Sequence, residues 1–164
     1  MFDAQTTRLA TAVLEACRAT GATAATVESC TGGLVAGALT AIAGSSDVVL
    51  GGLVTYSNEA KTALADVPGA LLAAHGAVSE PVARAMAAGG RSALSATYAV
   101  SITGVAGPGG GSAEKPVGLV HFACCGPAGT RHREMRFGAL SRDEIRRLSV
   151  LTALDMLREA ASPR

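Results

Sequence analysis

The sequence predicts an α/β fold, a three-layer α/β/α sandwich around a mixed, mostly parallel sheet of about five or six strands. Two observations carry this expectation. Helical and strand-like patterns alternate along the chain, which is the signature of strands packed between helices. Near the C-terminal end two strand patterns follow each other across a tight turn, so at least one strand runs antiparallel.

Taken in order, residues 4–20 read as a helix, with Leu9, Val13, Leu14 and Cys17 at helical spacing and Gly21 as its stop. Residues 23–28 are rich in Thr and Val and form the first core strand. A helix is expected over 32–42, with Leu34, Val35, Ala38, Leu39 and Ile42 as its apolar stripe. Residues 43–47 make a turn, and 48–57 a strand that Gly51 and Gly52 weaken or bulge. A helix then spans 58–66, capped by Ser57 or Asn58, before Pro68 and Gly69 break it. A short helical stretch runs from Leu71 to His75. Ser79, Glu80 and Pro81 open a longer helix, which Gly89 and Gly90 weaken in its middle. A strand over 97–103 precedes a glycine-rich loop, 104–115. Residues 116–124 and 130–137 make a hairpin. Arg131, Arg133 and Arg136 against Met135 and Phe137 give the second strand one wet face. Ser141 and Glu144 have capping-box spacing at the start of the last helix, which carries Ile145, Leu148, Leu151, Leu154 and Leu157.

The 164 residues suit one domain, 1–164, with a sizeable core. Only 16% of residues are charged and 49% are hydrophobic, which excludes a disordered chain. A net charge of +1 supplies no field that would draw nucleic acid or an anionic membrane. The apolar runs are too short to span a bilayer and the first residues carry no signal-like pattern, so a soluble cytoplasmic protein is expected. Cys17, Cys30, Cys124 and Cys125 form no C-x-x-C pair, and no Cys/His group has metal spacing. They read as buried small hydrophobes in a reducing compartment, and no cofactor or metal is expected. Cys30 is the one whose position, at a helix start, would also favour a thiolate.

Candidate chemistry centres on Thr26-Val27-Glu28-Ser29-Cys30-Thr31-Gly32-Gly33. Ser29 falls where a strand gives way to a helix, beside unpaired N–H groups and the positive end of the helix dipole. Such a place stabilises an oxygen nucleophile or a bound anion; the same residues equally suit a plain strand-to-helix joint. Of 14 basic side chains only Lys61 and Lys115 are lysine. Lysine can give up its proton where arginine cannot, so one of these two positions is expected to need a neutral amine. Lys61 falls in the first turn of its helix, where the dipole opposes a cation and lowers its proton affinity. Tyr56, at the preceding strand end, could relay a proton or orient the amine. The carboxyl ends of neighbouring parallel strands converge, which would bring Ser29, Lys61, Tyr56 and Thr103 together as a serine–lysine acyl-transfer site. The glycine loop lacks both the P-loop and the dinucleotide pattern, and reads as a connector or a phosphate cradle. Arg142 and Arg146, four apart on one helix, could clamp a phosphate or carboxylate. The three histidines show no partner pattern.

Several motifs stand in register: Glu28–Gly33, Gly44–Ser46, Val54–Lys61, Gly76–Pro81, Ser101–Pro108 and Gly110–Gly118. Together they resemble the CinA C-terminal domain family in its stand-alone nicotinamide-nucleotide amidase form. The resemblance covers nearly the whole chain and is weakest over 1–20 and 124–137. It implies an α/β/α fold like the anticodon-binding domains of synthetases. It implies hydrolysis of the carboxamide of nicotinamide mononucleotide to nicotinate mononucleotide and ammonia, a step of pyridine-nucleotide salvage and NAD metabolism. It gives Ser29 as nucleophile, Lys61 as base and Tyr56 as assistant. Ser46 and Thr103, with Gly104, match positions lining the site, and Arg142, then Arg146, positions holding the phosphate. Backbone N–H groups over Thr31, Gly32 and Gly33 are the expected oxyanion donors. The expected partners are the nucleotide substrate and other copies of the chain in a homo-oligomer, dimer or higher. Larger family members add a pyrophosphatase-like domain, an activity not expected of this chain.

Overall fold

The computed structural model describes residues 1–163. Five strands form one sheet in the order β2-β1-β3-β4-β5: β1 (Ala24–Glu28), β2 (Val49–Val54), β3 (Tyr98–Gly104), β4 (Leu119–Gly126) and β5 (Gly129–Arg136). β1 pairs in parallel with β2 and with β3, while β4 and β5 join antiparallel. The change of direction follows from the connections. Helices carry the chain back between the parallel strands, whereas β3 reaches β4 through the glycine loop alone.

Helices α1 (Ala4–Thr20), α2 (Leu34–Thr40) and α6 (Arg142–Ala161) cover one face, and α3 (Asn58–Ala65), α4 (Gly69–His75) and α5 (Glu80–Leu94) lie on the other. Leu14, Leu39, Ile102, Phe122, Ile145, Leu154 and Leu157 fill the first interlayer, and Val27, Ala65, Val67, Val82 and Met86 the second. The period-two alternation of the strands divides the two cores. Ile102 and Phe122 face α1 and α6, while Ser101 and Ala123 face α5.

The expected element boundaries shift for local reasons. The second helix begins at Leu34 rather than Gly32, because Gly32 and Gly33 take φ of +57° and +99°, outside the right-handed helix. β2 stops at Val54 rather than Ser57, where Ser57 turns the chain and caps α3 by accepting the Ala60 N–H. β4 starts at Leu119, since residues 116–118 form a turn closed by Leu119 N–H on the Pro116 carbonyl. Ser141 accepts the Glu144 N–H as a capping box requires, but the Glu144 carboxylate binds Arg147 instead of reaching back. The expected irregularity of β2 is present: its pairing with β1 slips between Ala24 and Ala25, and Gly52 lets β2 approach Thr26 and Ala36 closely.

α5 runs unbroken through Gly89 and Gly90. A Cβ on Gly89 would stand 1.6 Å from the Ala65 carbonyl oxygen, and one on Gly90 2.1 Å from Val27 Cγ2. These glycines bring α5 against α3 and β1. Gly89→Ala should therefore destabilise the protein by about 3 kcal/mol, the upper part of the overpacking range, because backbone cannot yield as a side chain can. The shift of the urea midpoint measures it.

Candidate active site

The site lies at the carboxyl ends of β1, β2 and β3. The backbone fixes its register first. Thr55 N–H donates to the Glu28 carbonyl at 2.8 Å, and Ser29 N–H donates to the Ile102 carbonyl at 3.0 Å. Strand alternation then sends consecutive side chains to opposite faces. Glu28 goes under α2 and Ser29 towards α3.

On the α3 side, Lys61 Nζ lies 3.2 Å from Ser29 Oγ and 3.0 Å from the Thr55 carbonyl oxygen. Lys61 is 1% exposed, and among the described residues no carboxylate pairs with it. Burial holds its ammonium below the ordinary lysine range. Its place in the first turn of α3 was as expected, but desolvation is what disfavours the charge. Half-buried Ser29 stands between this amine and solvent. The pair can exchange a proton without a histidine or an acid. Lys115, the other lysine, donates from Nζ to the His75 carbonyl and fastens the glycine loop to the end of α4.

On the α2 side, the Glu28 carboxylate is 1% exposed and accepts three N–H groups: Gly33 and Val35 on Oε2 at 3.0 and 3.1 Å, and Ala36 on Oε1 at 2.8 Å. Gly32 N–H is also taken, by the Ser29 carbonyl at 3.0 Å. The expected oxyanion donors at Gly32 and Gly33 are therefore already engaged. Among the described residues, the N–H groups of Cys30 and Thr31 are the ones beside Ser29 that meet no acceptor. Glu28 is the site residue that reasoning from sequence passed over. Its signal was a lone acid at a strand end, five residues before Gly33, an N-cap that has no side chain to close the helix start.

The remaining residues divide. Thr103 is buried and donates to the Ala77 carbonyl at 2.8 Å, so it braces the segment before α5. At Gly104 a Cβ would clash with Val120 at 2.7 Å, which explains the glycine by packing. Arg146 donates to the Cys30 and Thr31 carbonyls and braces the turn after Ser29. Arg142, at the start of α6, is exposed; it donates to the Gly107 carbonyl at 2.9 Å and to the Tyr56 hydroxyl at 3.3 Å. Tyr56 is 61% exposed, and its hydroxyl is tied to Arg142 rather than to Lys61. Ser46 is not brought to this edge within one chain. It lies in the turn Ser45–Asp47 before β2, about 20 Å away along a strand of six residues. Cys30 is 6% exposed, and burial pushes its thiol up to about 12, so it carries no thiolate. Two of the three histidines do have partners: His121 Nδ1 meets His132 Nε2 at 2.9 Å, and His132 approaches Glu80 at 3.6 Å, on the α5 face of the hairpin.

Fold and site together define an α/β protein with a serine–lysine pair at the carboxyl edge of its parallel strands. The chain belongs to the CinA family: the CinA C-terminal domain model matches residues 6–161. It is 55% identical over 158 residues to a CinA-like protein of Synechococcus sp. (strain RCC307), covering 96% of this chain and 38% of that protein. A CinA-like protein of Gloeobacter violaceus is 55% identical over 140 residues, covering 85% of this chain and 33% of that protein. The chain thus spans about a third of the length of the curated relatives it matches. Among solved structures, the competence/damage inducible protein CihA from Agrobacterium tumefaciens superposes with a TM-score of 0.95 at 49% identity, covering 98% of each chain. A CinA superfamily protein from Escherichia coli superposes with a TM-score of 0.90 at 32% identity, over 97% of this chain and 93% of that one. Among the described residues no helix is long and apolar enough to cross a membrane.

The lowered proton affinity of Lys61 links to stability with a definite sign. Between the folded value and the ordinary lysine value the unfolded chain binds the extra proton, so stability rises with pH across that window. Below it the amine is charged in both states and the cost of burying it is constant. Lys61→Met should abolish this rise. Urea unfolding of both proteins from pH 6 to 10 should show the difference between them greatest at the acid end and shrinking as pH climbs.

Proposed function

We propose that this chain hydrolyses the carboxamide of nicotinamide mononucleotide, giving nicotinate mononucleotide and ammonia through an acyl-enzyme on Ser29. The observation that carries the chemistry is the buried Lys61 amine, 3.2 Å from Ser29 Oγ and without an acidic partner among the described residues. The substrate rests on the resemblance of the motifs around these two residues to the amidase form of the family.

Neutral Lys61 accepts the Ser29 proton as Oγ attacks the amide carbon. The oxygen that gains charge is held by the N–H groups of Cys30 and Thr31. Lys61, now protonated, donates to the departing nitrogen as the C–N bond breaks, and ammonia leaves. Water then attacks the acyl carbon as Lys61 takes its proton; the C–O bond to Ser29 breaks as Lys61 returns that proton to Oγ, and the acid product leaves and ionises to the carboxylate. Thr55 supports this cycle, because its carbonyl holds Nζ in place in either protonation state. In this reading Arg142 binds the nucleotide phosphate, which its exposure and its bond to the Tyr56 hydroxyl support. Arg146 contributes indirectly, by fixing the carbonyls of the turn that carries the oxyanion donors.

Ammonia release from nicotinamide mononucleotide by the purified chain tests this reading, and binding without turnover would point to a nucleotide-binding regulatory module. Lys61→Arg and Ser29→Ala should each lower turnover by at least about 10³-fold, since arginine cannot act as a base and alanine cannot attack. Cys30→Ala should retain activity. Arg142→Ala should raise KM by about tenfold with a smaller change in kcat, as expected for a phosphate contact made before and during the reaction. Turnover should increase with pH through a value below the ordinary lysine range, following loss of the Lys61 proton.

A further inference from the structure

We propose that Glu28 is a positioning residue for Ser29: its carboxylate closes the start of α2, sets the direction in which Ser29 leaves β1, and reserves the Cys30 and Thr31 N–H groups for the oxyanion. The inference rests on Ser29 being the nucleophile, and not on which amide it attacks.

Three observations converge. Both carboxylate oxygens are used as acceptors, by Gly33, Val35 and Ala36, so the buried side chain is fixed at its tip. The main chain of the same residue is fixed as well, by Thr55 N–H on its carbonyl. Residue 28 is therefore held at both ends, and the next side chain can only emerge on the opposite face, towards Lys61. Thr55 in turn accepts from Lys61 Nζ, so nucleophile and base are registered through one residue.

The helix start has a second consequence. A free helix N-terminus attracts anions. Here an internal carboxylate occupies it, which denies that position to a substrate phosphate and to the oxyanion alike. Charge developing beside Ser29 is left with the donors of the turn itself, held in place from the other side by Arg146 on the Cys30 and Thr31 carbonyls. Glutamine cannot reproduce the arrangement. It offers one acceptor oxygen, and its NH₂ would face an N–H group. Aspartate keeps the charge but lacks the reach.

The test uses Ser29 labelling by a fluorophosphonate, followed by peptide mass, alongside turnover of nicotinamide mononucleotide. Rates are taken per folded molecule, with circular dichroism giving the folded fraction. Glu28→Gln should be labelled at least about tenfold more slowly than wild type, with kcat reduced in proportion and KM within about twofold. Glu28→Asp should fall between. A folded Glu28→Gln that reacts at the wild-type rate would overturn the proposal and leave Glu28 a helix cap only. The wild type supplies a second measurement that needs no variant. Phosphonylation of the ¹⁵N-labelled protein should move the Cys30 and Thr31 amide resonances and leave Gly33, Val35 and Ala36 in place; the reverse pattern would equally overturn it. If the wild type is labelled at Ser29 but releases no ammonia, the substrate assignment fails while the Glu28 measurements still decide.

Discussion

The structure of the site depends on the cost of burying the Lys61 ammonium. An isolated cation out of water is expensive by several kcal/mol unless it is paired, and no described carboxylate pairs with this one. The amine meets the cost by giving up its proton more readily. That adjustment makes it useful beside a hydroxyl. Everything around it serves to hold the amine in this position: the Thr55 carbonyl, the first turn of α3 capped by Ser57, and the close approach of α5 through Gly89. Stability is given up at one point of the core, and an amine that releases its proton more readily than an ordinary lysine is gained there.

The second constraint is electrostatic and lies on the other face of β1. Positive helix ends are common anion sites, and Ser29 sits beside one. The Glu28 carboxylate answers that charge from within the chain. Two buried ionisable groups, Glu28 and Lys61, thus flank one residue from opposite faces without meeting each other. The acid is satisfied by three N–H groups and the amine by two oxygens, so each is partnered by dipoles rather than by an opposite charge. This keeps the amine out of a salt bridge, in which it would retain its proton.

The arginines show how position divides similar residues. Arg142 and Arg146 share a helix face, and in sequence they look equivalent. One turn of helix separates an exposed guanidinium tied to Tyr56 and the glycine loop from one that is spent on the carbonyls of the turn after Ser29. Cys30 and Ser29 divide in the same way. Adjacent residues of similar chemistry fall on either side of the sheet surface, and the thiol enters the core next to Val35 while the hydroxyl stays half open.

The sequence by itself determined the alternation of elements, the caps at Ser79 and Ser141, the hairpin, and the pairing of a serine at one strand end with a rare lysine at the next, and it narrowed the α3 cap to Ser57 or Asn58. These are legible because they are local or periodic: a cap is read within four residues, and a strand face within two. Tertiary structure alone decided that Glu28 closes α2, that Thr103 and Arg146 are braces, that Ser46 lies at the far end of β2, and that His121 meets His132. Each of these depends on which end of a strand faces which neighbour, and on how much water a side chain keeps. Neither quantity is written in the spacing of residues along the chain. Both appear only when parallel strands bring their carboxyl ends together and helices close over the two faces.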